Sequence, residues 1–480
     1  RQKAVGLWRV LALVMAASSA DYNKTQDAVD GLTAQLAEEG NAADEEDLPE
    51  QPTGLQVHET DKVLDKTPST DPLFAVTCDS FDAETLALPP LILRGLQEMN
   101  FVRPSKIQAA SLPKVWAGRE LLAQSHNGTG KTACFVLGML KVTTSEESPQ
   151  ALCLCPTREL AKQISEEIFK MGKYFLEAEK VSVKTILREE RYEKGSSMPE
   201  QIVVGTPGKV WTLINMQVLN TNKLKMLVLD EADQMLEGSM QGLGETTKRI
   251  RKRLPPNVQT LFFSATWTDN VKKFAKQMSA VSGRDWSQIE VQRNFIFNDQ
   301  VAQYFYKTNG IKEKQARIAE ILSVVTVGQC IIFVSTRDDV DKLTKMLSEN
   351  GHVVSSLHGR MEESNRDKVL DDFRQQISRF LITTNVLARG VDVPAVTLVI
   401  QYDMPTKKGG TYDPETYLHR VGRTGRFGRP GCALNMIGDS KDMTVLKQIE
   451  AYFSREGLIK EIPADTDPEE FERLLTATSS

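Results

Sequence analysis

The residues best suited to chemistry begin in the segment SHNGTGKT, residues 125–132, which is rich in glycine and ends Gly-Lys-Thr. Gly128 and Gly130 allow backbone N–H groups to turn inward around phosphate oxygens. Lys131 can reach the β- and γ-phosphates of a nucleotide, and the Thr132 hydroxyl can ligate Mg²⁺. A chance glycine turn is the alternative. The apolar run before the segment and the helical pattern after it favour a phosphate-binding loop.

A second candidate site lies in LVLDEADQML, residues 227–236. A buried strand there would end at Asp230 and Glu231, and open α/β sheets bind their ligands at the carboxyl ends of strands. Asp230 can hold Mg²⁺ through its hydration shell, and Glu231 can position or deprotonate an attacking water. An acidic turn that caps the next helix is the alternative. The neighbouring phosphate loop favours a nucleotide site.

Apolar runs typical of buried strands would position these two segments. The first set covers 151–155, 181–187, 201–206, 226–230 and 260–266, and the second covers 330–336, 353–359, 379–385, 397–403 and 432–438. Amphipathic segments separate the runs, which predicts mostly parallel sheets covered by helices on both faces. Because the pattern weakens between the two sets, we expect two α/β domains joined by a linker.

The predicted boundaries follow from changes in composition along the chain. They are a weakly ordered acidic tail at 1–70, a first domain at 71–293, a linker at 294–300, a second domain at 301–465 and a C-terminal tail at 466–480. Residues 36–50 carry seven carboxylates and no basic residue, a composition that usually gives a solvated tail.

The bulk composition limits the function classes. The net charge of −5 excludes a basic coat that binds nucleic acid everywhere, so any nucleic-acid site must be local. The six cysteines form no CxxC pair, which favours buried free thiols in a reducing compartment. Residues 1–20 resemble a secretory signal, but Arg9 interrupts the apolar stretch and the chain does not begin with Met, so a fragmentary start is the alternative. No other run is apolar enough to span a bilayer.

The order of short motifs resembles that of DEAD-box RNA helicases. DEAD itself occupies residues 230–233, between the phosphate loop and SAT at 264–266. The other motifs are FVRPSKIQ (101–108), PTREL (156–160), TPG (206–208), STR (335–337), TTNVLARGVD (383–392) and HRVGRTGR (419–426). The resemblance covers roughly residues 71–460. It implies two tandem RecA-like domains that hydrolyse ATP when RNA is bound.

The same resemblance implies an ATP site shared by both domains. Gln108 would bind the adenine edge, Phe101 would stack on the base, and Asp392 would bind the ribose hydroxyls. Arg423 and Arg426 would act as arginine fingers toward the γ-phosphate. The loop residues expected to contact ATP·Mg²⁺ are Ser125, Asn127, Gly128, Thr129, Gly130, Lys131 and Thr132.

RNA contacts are also implied by the resemblance. Ser264 and Thr266 would couple hydrolysis to RNA distortion, although a hydroxyl pair after a strand is also an ordinary turn. The expected RNA-binding residues are Thr157, Arg158, Thr206 and Gly208 in the first domain, and Arg337, Gly359 and Thr383 in the second. Contacts to sugar and phosphate carry no base information, so we expect binding without sequence preference.

Departures from the common pattern indicate a branch of the family. The phosphate loop is longer by two residues around His126 and Asn127, residues 186–195 lack a Gly-Gly pair, and Glu363 replaces a more usual Gln. Together with residues 71–81, the insertion at 406–416 resembles the branch that drives mRNA export at the nuclear pore. That branch implies a pore filament protein and an inositol-phosphate-dependent activator as partners. It also implies a monomer in cytoplasm and nucleus, at the cytoplasmic face of the pore.

Two other functions fit the same motifs. One is an ATP-locked RNA clamp whose turnover is suppressed by partners, although every catalytic residue of an active enzyme is present. The other is a helicase of translation initiation or splicing. The sequence names no RNA target and leaves open whether the acidic tail inhibits the enzyme.

Overall fold

The computed structural model describes residues 63–65, 73, 76–82, 84, 86–125, 128–236, 242–291, 300–324, 328–385, 396–407, 409–425 and 430–476. Several predicted features lie outside these residues: the acidic segment at 36–50, His126, Asn127, Asp392, Arg426 and most of the expected linker. All described residues belong to one compact unit.

The first lobe, residues 63–291, contains eight strands and eight helices among its described residues. The strands are β1 (Val63–Asp65), β2 (Glu120–Gln124), β3 (Ala151–Leu154), β4 (Val183–Ile186), β5 (Ile202–Gly205), β6 (Met226–Leu229), β7 (Gln259–Ser264) and β8 (Trp286–Val291). The helices are α1 (Pro90–Glu98), α2 (Lys106–Trp116), α3 (Lys131–Val142), α4 (Arg158–Ala178), α5 (Pro207–Asn215), α6 (Ala232–Leu236), α7 (Leu243–Arg253) and α8 (Asp269–Ser279).

The second lobe, residues 300–476, repeats this alternation. Its strands are β9 (Val301–Lys307), β10 (Gln329–Phe333), β11 (Val354–Leu357), β12 (Phe380–Thr383), β13 (Val396–Gln401), β14 (Gly431–Ile437) and β15 (Lys460–Glu461). Its helices are α9 (Ile311–Val324), α10 (Arg337–Glu349), α11 (Glu363–Arg374), α12 (Pro414–Val421), α13 (Ser440–Tyr452) and α14 (Pro468–Thr476).

Each lobe is built on one sheet. The first has the order β1-β8-β2-β7-β6-β3-β5-β4, and its strands are parallel except for the antiparallel pair β1–β8. The second has the order β11-β12-β10-β13-β14-β9-β15 and is parallel. These mostly parallel sheets confirm the predicted fold class.

Neighbouring residues of each central strand bury opposite faces of the sheet. On β3, Cys153 packs in the cluster beneath α2, α3 and α4, while Leu152 packs in the cluster on the other face. On β10, Ile332 and Phe333 separate in the same way. Because both faces are covered, these strands are apolar throughout. Their positions could therefore be predicted from the apolar runs in the sequence. Among the described helices, none has the length and apolar character needed to cross a bilayer.

Ordered elements lie inside both segments that we assigned to tails. Residues 63–65, which we assigned to the weakly ordered tail, form β1 and pair with β8. Residues 468–476, which we assigned to a C-terminal tail, form α14, and Phe471 packs in the second lobe's core against the edge of Tyr306. Both elements are short and lie among charged residues, so their periodicity is weak and tertiary pairing stabilises them.

Candidate functional site

The phosphate loop connects β2 to α3 at the carboxyl edge of the first sheet. Ser125 N donates to Ser264 O at 3.1 Å, which fixes the start of the loop to the end of β7. Gly128 and Gly130 have φ values of 82° and 91°, a region that other residues adopt at a cost. Lys131 Nζ donates to Ser125 O at 2.7 Å. The buried ammonium group therefore lies against the loop, where it could also bind a phosphate.

Helix α2 supports this loop through a capping box. Ser105 N donates to Gln108 Oε1 at 2.8 Å, and Ser105 Oγ lies 2.7 Å from Thr129 O and donates to it. Gln108 Nε2 donates to Gly130 O at 3.1 Å. The Gln108 amide keeps one further N–H and one lone pair, which is what an adenine edge requires. Gln108 therefore joins the predicted base site to the phosphate loop.

Phe101 is half-buried rather than free in a cleft. It packs on the first core, and its ring meets that of Phe81 edge to face with centroids 5.9 Å apart. Phe101 is thus held by a second aromatic ring of the first core.

Asp230 and Glu231 follow β6 and are both buried. Glu231 N donates to Asp230 Oδ1 at 3.0 Å, and Glu231 has a left-handed φ of 50°, a strained conformation that is often found at functional sites. Burial, followed by the charge of Glu231, raises the pKa of Asp230 to about 7, although Lys131 opposes the shift. Two carboxylates held so close together are suited to share a cation.

The SAT motif connects to the same acidic segment. Thr266 Oγ1 donates to Asp233 Oδ2 at 2.5 Å, and Ser264 Oγ donates to Thr266 O at 2.9 Å. Both hydroxyls are buried, so this short chain of hydrogen bonds is shielded from water. A shift of α6 would therefore move the SAT turn as well.

His419 completes this group from the second lobe. Its Nε2 lies 3.3 Å from Asp233 Oδ2 and 3.7 Å from Glu231 Oε2, and the ring is fully buried. These three side chains offer ligand atoms within 4.8 Å of one another. Glu231 Oε2 accepts no hydrogen bond from the residues that the structure describes. We predicted no role for His419 or Asp233 from the sequence, although both stand inside the quoted motifs beside residues with predicted roles.

The arginines of HRVGRTGR divide into different roles. Arg420 is fully buried and donates to Asn385 Oδ1, Gln401 Oε1 and Asp403 O at 2.6–2.9 Å, so it holds the second lobe together. Arg423 is buried and donates from Nε to His419 O at 3.1 Å, so it is held beside the histidine that contacts the first lobe. Its role as an arginine finger stays a prediction.

The predicted RNA residues of the first lobe lie at helix starts. Thr157 caps α4 by accepting from Leu160 N at 3.3 Å. Thr206 precedes α5 without using its hydroxyl as a cap, and Gly208 is exposed in the first turn with open space where a side chain would be. Arg158 is engaged by carboxylates on both lobes.

In the second lobe, the predicted RNA-binding residues differ in solvent exposure. Arg337 and Gly359 are exposed, Arg337 at the start of α10 and Gly359 after β11. Thr383 is fully buried and donates to Thr384 O at 3.0 Å, so its side chain does not line the surface. The half-buried Thr384 is the hydroxyl that solvent reaches at this strand end. An RNA contact of Thr383 would therefore have to use its backbone, and the assignment stays a prediction.

The chemistry of these donors fits a nucleotide and a divalent cation. The loop offers backbone N–H groups at a helix start, where the helix dipole favours anions. Asp230 and Thr132 offer the oxygen ligands that Mg²⁺ prefers, and the raised pKa of Asp230 reflects a site where a cation would be favourable. The arrangement is suited to phosphoryl transfer to water.

Comparisons with known families agree with this geometry. The family model for the DEAD/DEAH box helicase matches residues 105–274, and that for the helicase conserved C-terminal domain matches residues 313–428. The chain is 42% identical over 412 residues to the ATP-dependent RNA helicase DBP5 of Kluyveromyces lactis, which covers 85% of this chain and 84% of that protein.

Two solved structures of Saccharomyces cerevisiae Dbp5 are similar to this chain. The complex with RNA and ADP BeF3 gives a TM-score of 0.76 at 40% identity, covering 83% of this chain and 99% of that one. The complex of a Dbp5 variant with Nup159, Gle1, IP6 and ADP gives a TM-score of 0.58 at 39% identity, covering 81% and 98%. The arrangement of the two lobes here is thus more similar to that of the RNA-bound protein.

Proposed function

This chain belongs to the DEAD-box family of ATP-dependent RNA helicases, and from that premise we propose that it remodels RNA–protein particles during mRNA export through the nuclear pore. ATP binding would close the two lobes on single-stranded RNA, and hydrolysis would open them. The observation that carries this proposal is the buried contact between His419 on the second lobe and Asp233 on the first. It lies beside the phosphate loop, where closure and hydrolysis can affect each other.

Each residue of the nucleotide site has a proposed role. Backbone N–H groups of the loop and Lys131 bind the phosphates, while Gln108 and Phe101 bind the base. Glu231 orients the attacking water, and this role is supported by its Oε2, which accepts no hydrogen bond within the described part of the chain. Arg423 approaches the γ-phosphate from the second lobe. Asp392, Arg426 and Asn127 are proposed for ribose, phosphate and loop contacts from the sequence motifs.

Magnesium is proposed as the metal cofactor. Thr132 and Asp230 would hold the ion, Asp230 partly through water. When bound, Mg²⁺ neutralises charge that develops on the phosphates. Asp230 must be deprotonated for this role, so its raised pKa makes metal binding depend on pH near neutrality.

RNA is proposed to lie along the starts of helices from both lobes. Thr157, Arg158, Thr206 and Gly208 would contact it from the first lobe, with Arg337, Gly359 and Thr383 from the second. Ser264 and Thr266 would transmit the state of the nucleotide. Hydroxyls, backbone N–H groups and a few arginines suit sugar and phosphate. A protein with a net charge of −5 can bind RNA in this local way.

The export branch supplies the proposed partners and location. The similar Dbp5 variant was solved with Nup159, Gle1 and IP6. By likeness, we propose that this chain binds a pore filament protein and an inositol-phosphate-dependent activator, at the cytoplasmic face of the pore and in cytoplasm and nucleus. The insertion that suggested this branch forms a Thr406–Tyr412 bridge before Asp413 caps α12. It therefore precedes the helix that carries His419.

An RNA-stimulated ATPase assay tests the activity. Saturating single-stranded RNA should raise ATP turnover of the full chain, and an absence of hydrolysis by a well-folded sample would contradict the proposal. Glu231→Gln should stop turnover and trap RNA. If the chain is a standing clamp, RNA retention should change little. Binding to a pore filament protein separates the export role from translation initiation or splicing.

A further inference from the structure

Arg158, which the proposed function assigns to RNA phosphate, is enclosed by carboxylates from both lobes. Its Nη2 lies 2.6 Å from Asp367 Oδ2 on α11, and its Nη1 forms an ion pair with Glu189. Its Nε lies 3.6 Å from Glu159 Oε1. The side chain is only 10% exposed. The guanidinium that should bind an anion therefore already has anions of the protein around it.

Asp367 makes the contact across the cleft. The same Oδ2 lies 2.8 Å from Lys162 Nζ, and the next residue back, Arg366, lies 3.4 Å from Glu159 Oε1. Burial would raise the pKa of Asp367, but hydrogen bonds from Lys162 and Arg158 outweigh it and hold the pKa below its ordinary value. Asp367 is therefore ionised at neutral pH and competes as a full negative charge.

The space beside Arg158 is acidic overall. A cavity of about 550 Å³ opens between the lobes there. Its charged lining consists of Arg158, Lys162, Glu189, Glu190, Glu362 and Asp367. Four carboxylates against two cations repel an incoming phosphate, because like charges at the rim of a low-dielectric cleft are poorly screened.

Glu189 and Glu190 belong to residues 186–195, the segment that lacks the Gly-Gly pair and that the function left unexplained. Lys184 Nζ lies 2.9 Å from Glu190 Oε2, which leaves Glu189 as the carboxylate directed at Arg158. A carboxylate and a phosphate oxygen make similar charge-assisted bonds to a guanidinium, so the two compete for the same N–H groups.

We propose that Asp367 and Glu189, the acidic pair, set the RNA affinity of this enzyme by competing with an RNA phosphate for Arg158. RNA must displace the acidic pair to bind Arg158 while the lobes are in contact. This inference rests on the proposed function, because it assumes that Arg158 contacts RNA.

The test measures RNA affinity of the full chain by fluorescence anisotropy with a labelled oligouridylate, in the presence of ADP and beryllium fluoride. We expect Asp367→Asn and Glu189→Gln each to tighten binding about twofold to fivefold, the range of a partly exposed ion pair. The matched control is Asp371→Asn, which makes the same charge change one turn along α11, where Asp371 is 59% exposed and pairs with Arg374. It should change affinity little.

Salt dependence provides a readout that a structural role would not move. In Asp367→Asn, the phosphate contact no longer replaces an internal ion pair, so the plot of log affinity against log salt should steepen by about 0.7. Glu189→Gln in the Arg158→Ala background should have no more effect than the control substitution.

The outcomes separate the two hypotheses. If Arg158→Ala leaves RNA affinity unchanged, Arg158 does not bind RNA and the underlying assignment fails. If Arg158→Ala weakens binding but Asp367→Asn equals Asp371→Asn, the assignment stands and the competition is refuted. If Asp367→Asn weakens binding, Asp367 mainly holds the lobes together, which also overturns the inference.

Discussion

His419 Nε2 lies 3.3 Å from Asp233 Oδ2, and Thr266 Oγ1 donates to that same carboxylate oxygen. One atom of the first lobe is therefore shared by a turn that follows β7 and a helix of the second lobe. Because all three side chains are buried, their interaction is stronger than it would be in water. This geometry connects lobe closure to the segment that holds Glu231.

We expect His419→Ala to lower RNA-stimulated kcat at least about tenfold, a loss of about 1.4 kcal/mol. The contact forms only when the lobes meet, so ATP affinity without RNA should change less than about twofold. Steady-state kinetics and nucleotide titration measure both. His352→Ala is the control, since this half-buried histidine of the same lobe packs on Phe380 away from the first lobe. A variant with normal kcat would show that the contact does not serve hydrolysis.

Nucleotide binding should release a proton near neutrality. Asp230 has an ordinary pKa of 3.8 that burial and Glu231 raise to about 7, and metal binding requires the ionised form. The folded state favours the protonated form of Asp230. The contribution of this group to the free energy of unfolding is therefore fully present below pH 3.8 and is lost as pH rises through about 7.

Mg·ATP affinity should accordingly fall as pH drops below about 7. Calorimetry of nucleotide binding in two buffers of different ionisation enthalpy should show proton release at about pH 6 and little proton release at about pH 8. Asp230→Asn should remove the buffer dependence. Equal heats in both buffers at the lower pH would contradict the assignment of the shift to metal binding.

Lys131→Ala should abolish ATP turnover while the fold persists. The ammonium is the charged donor under the loop, and its hydrogen bond to Ser125 O contributes about 1 kcal/mol to stability. ATPase activity and thermal unfolding report the two effects separately. Lys170→Ala, on the solvent side of α4, is the control. Normal kcat/KM in Lys131→Ala would refute the phosphate-loop assignment.

Gly130→Ala should abolish nucleotide binding for two reasons. Gly130 has a φ of 91°, and an added Cβ would lie 2.2 Å from Gln108 Nε2. Gly195→Ala isolates the first reason, because Gly195 has a φ of 81° and open space around it. That control should lose about 1 kcal/mol of stability and keep ATP affinity. Similar behaviour of both variants in a nucleotide titration would show that the clash is relieved.

Arg420→Ala should destabilise the second lobe rather than act on chemistry alone. It leaves Asn385, Gln401 and Asp403 without a buried donor, which should lower the free energy of unfolding by about 3 kcal/mol or more. Denaturant unfolding measures this. Arg374→Ala, at the end of α11, should lose less than about 0.5 kcal/mol. Equal stability of the two variants would contradict a structural role for Arg420.

The sequence predicted what depends on local pattern. The phosphate loop follows from glycine spacing beside an apolar strand, and Asp230 follows from its place at a strand end. The contacts of Gln108 with Gly130 and of Arg158 with Asp367 join residues far apart in the chain, and a single sequence carries no pattern for such pairs. The burial of the Thr383 side chain could not be predicted either, because the face on which a strand residue lies is set only once the strand's register is known.

The pairing of β1 with β8 has a consequence for handling the protein. Strand β8 is second from the edge of the first sheet because β1, only three residues long, pairs with its outer side. The acidic composition of residues 1–70 suggests a truncation that removes them. That truncation would leave the N–H and C=O groups of β8 that pair with β1 at an open edge. Such edges recruit strands from other molecules. The trimmed enzyme should therefore lose solubility and self-associate, although its ATP site is intact.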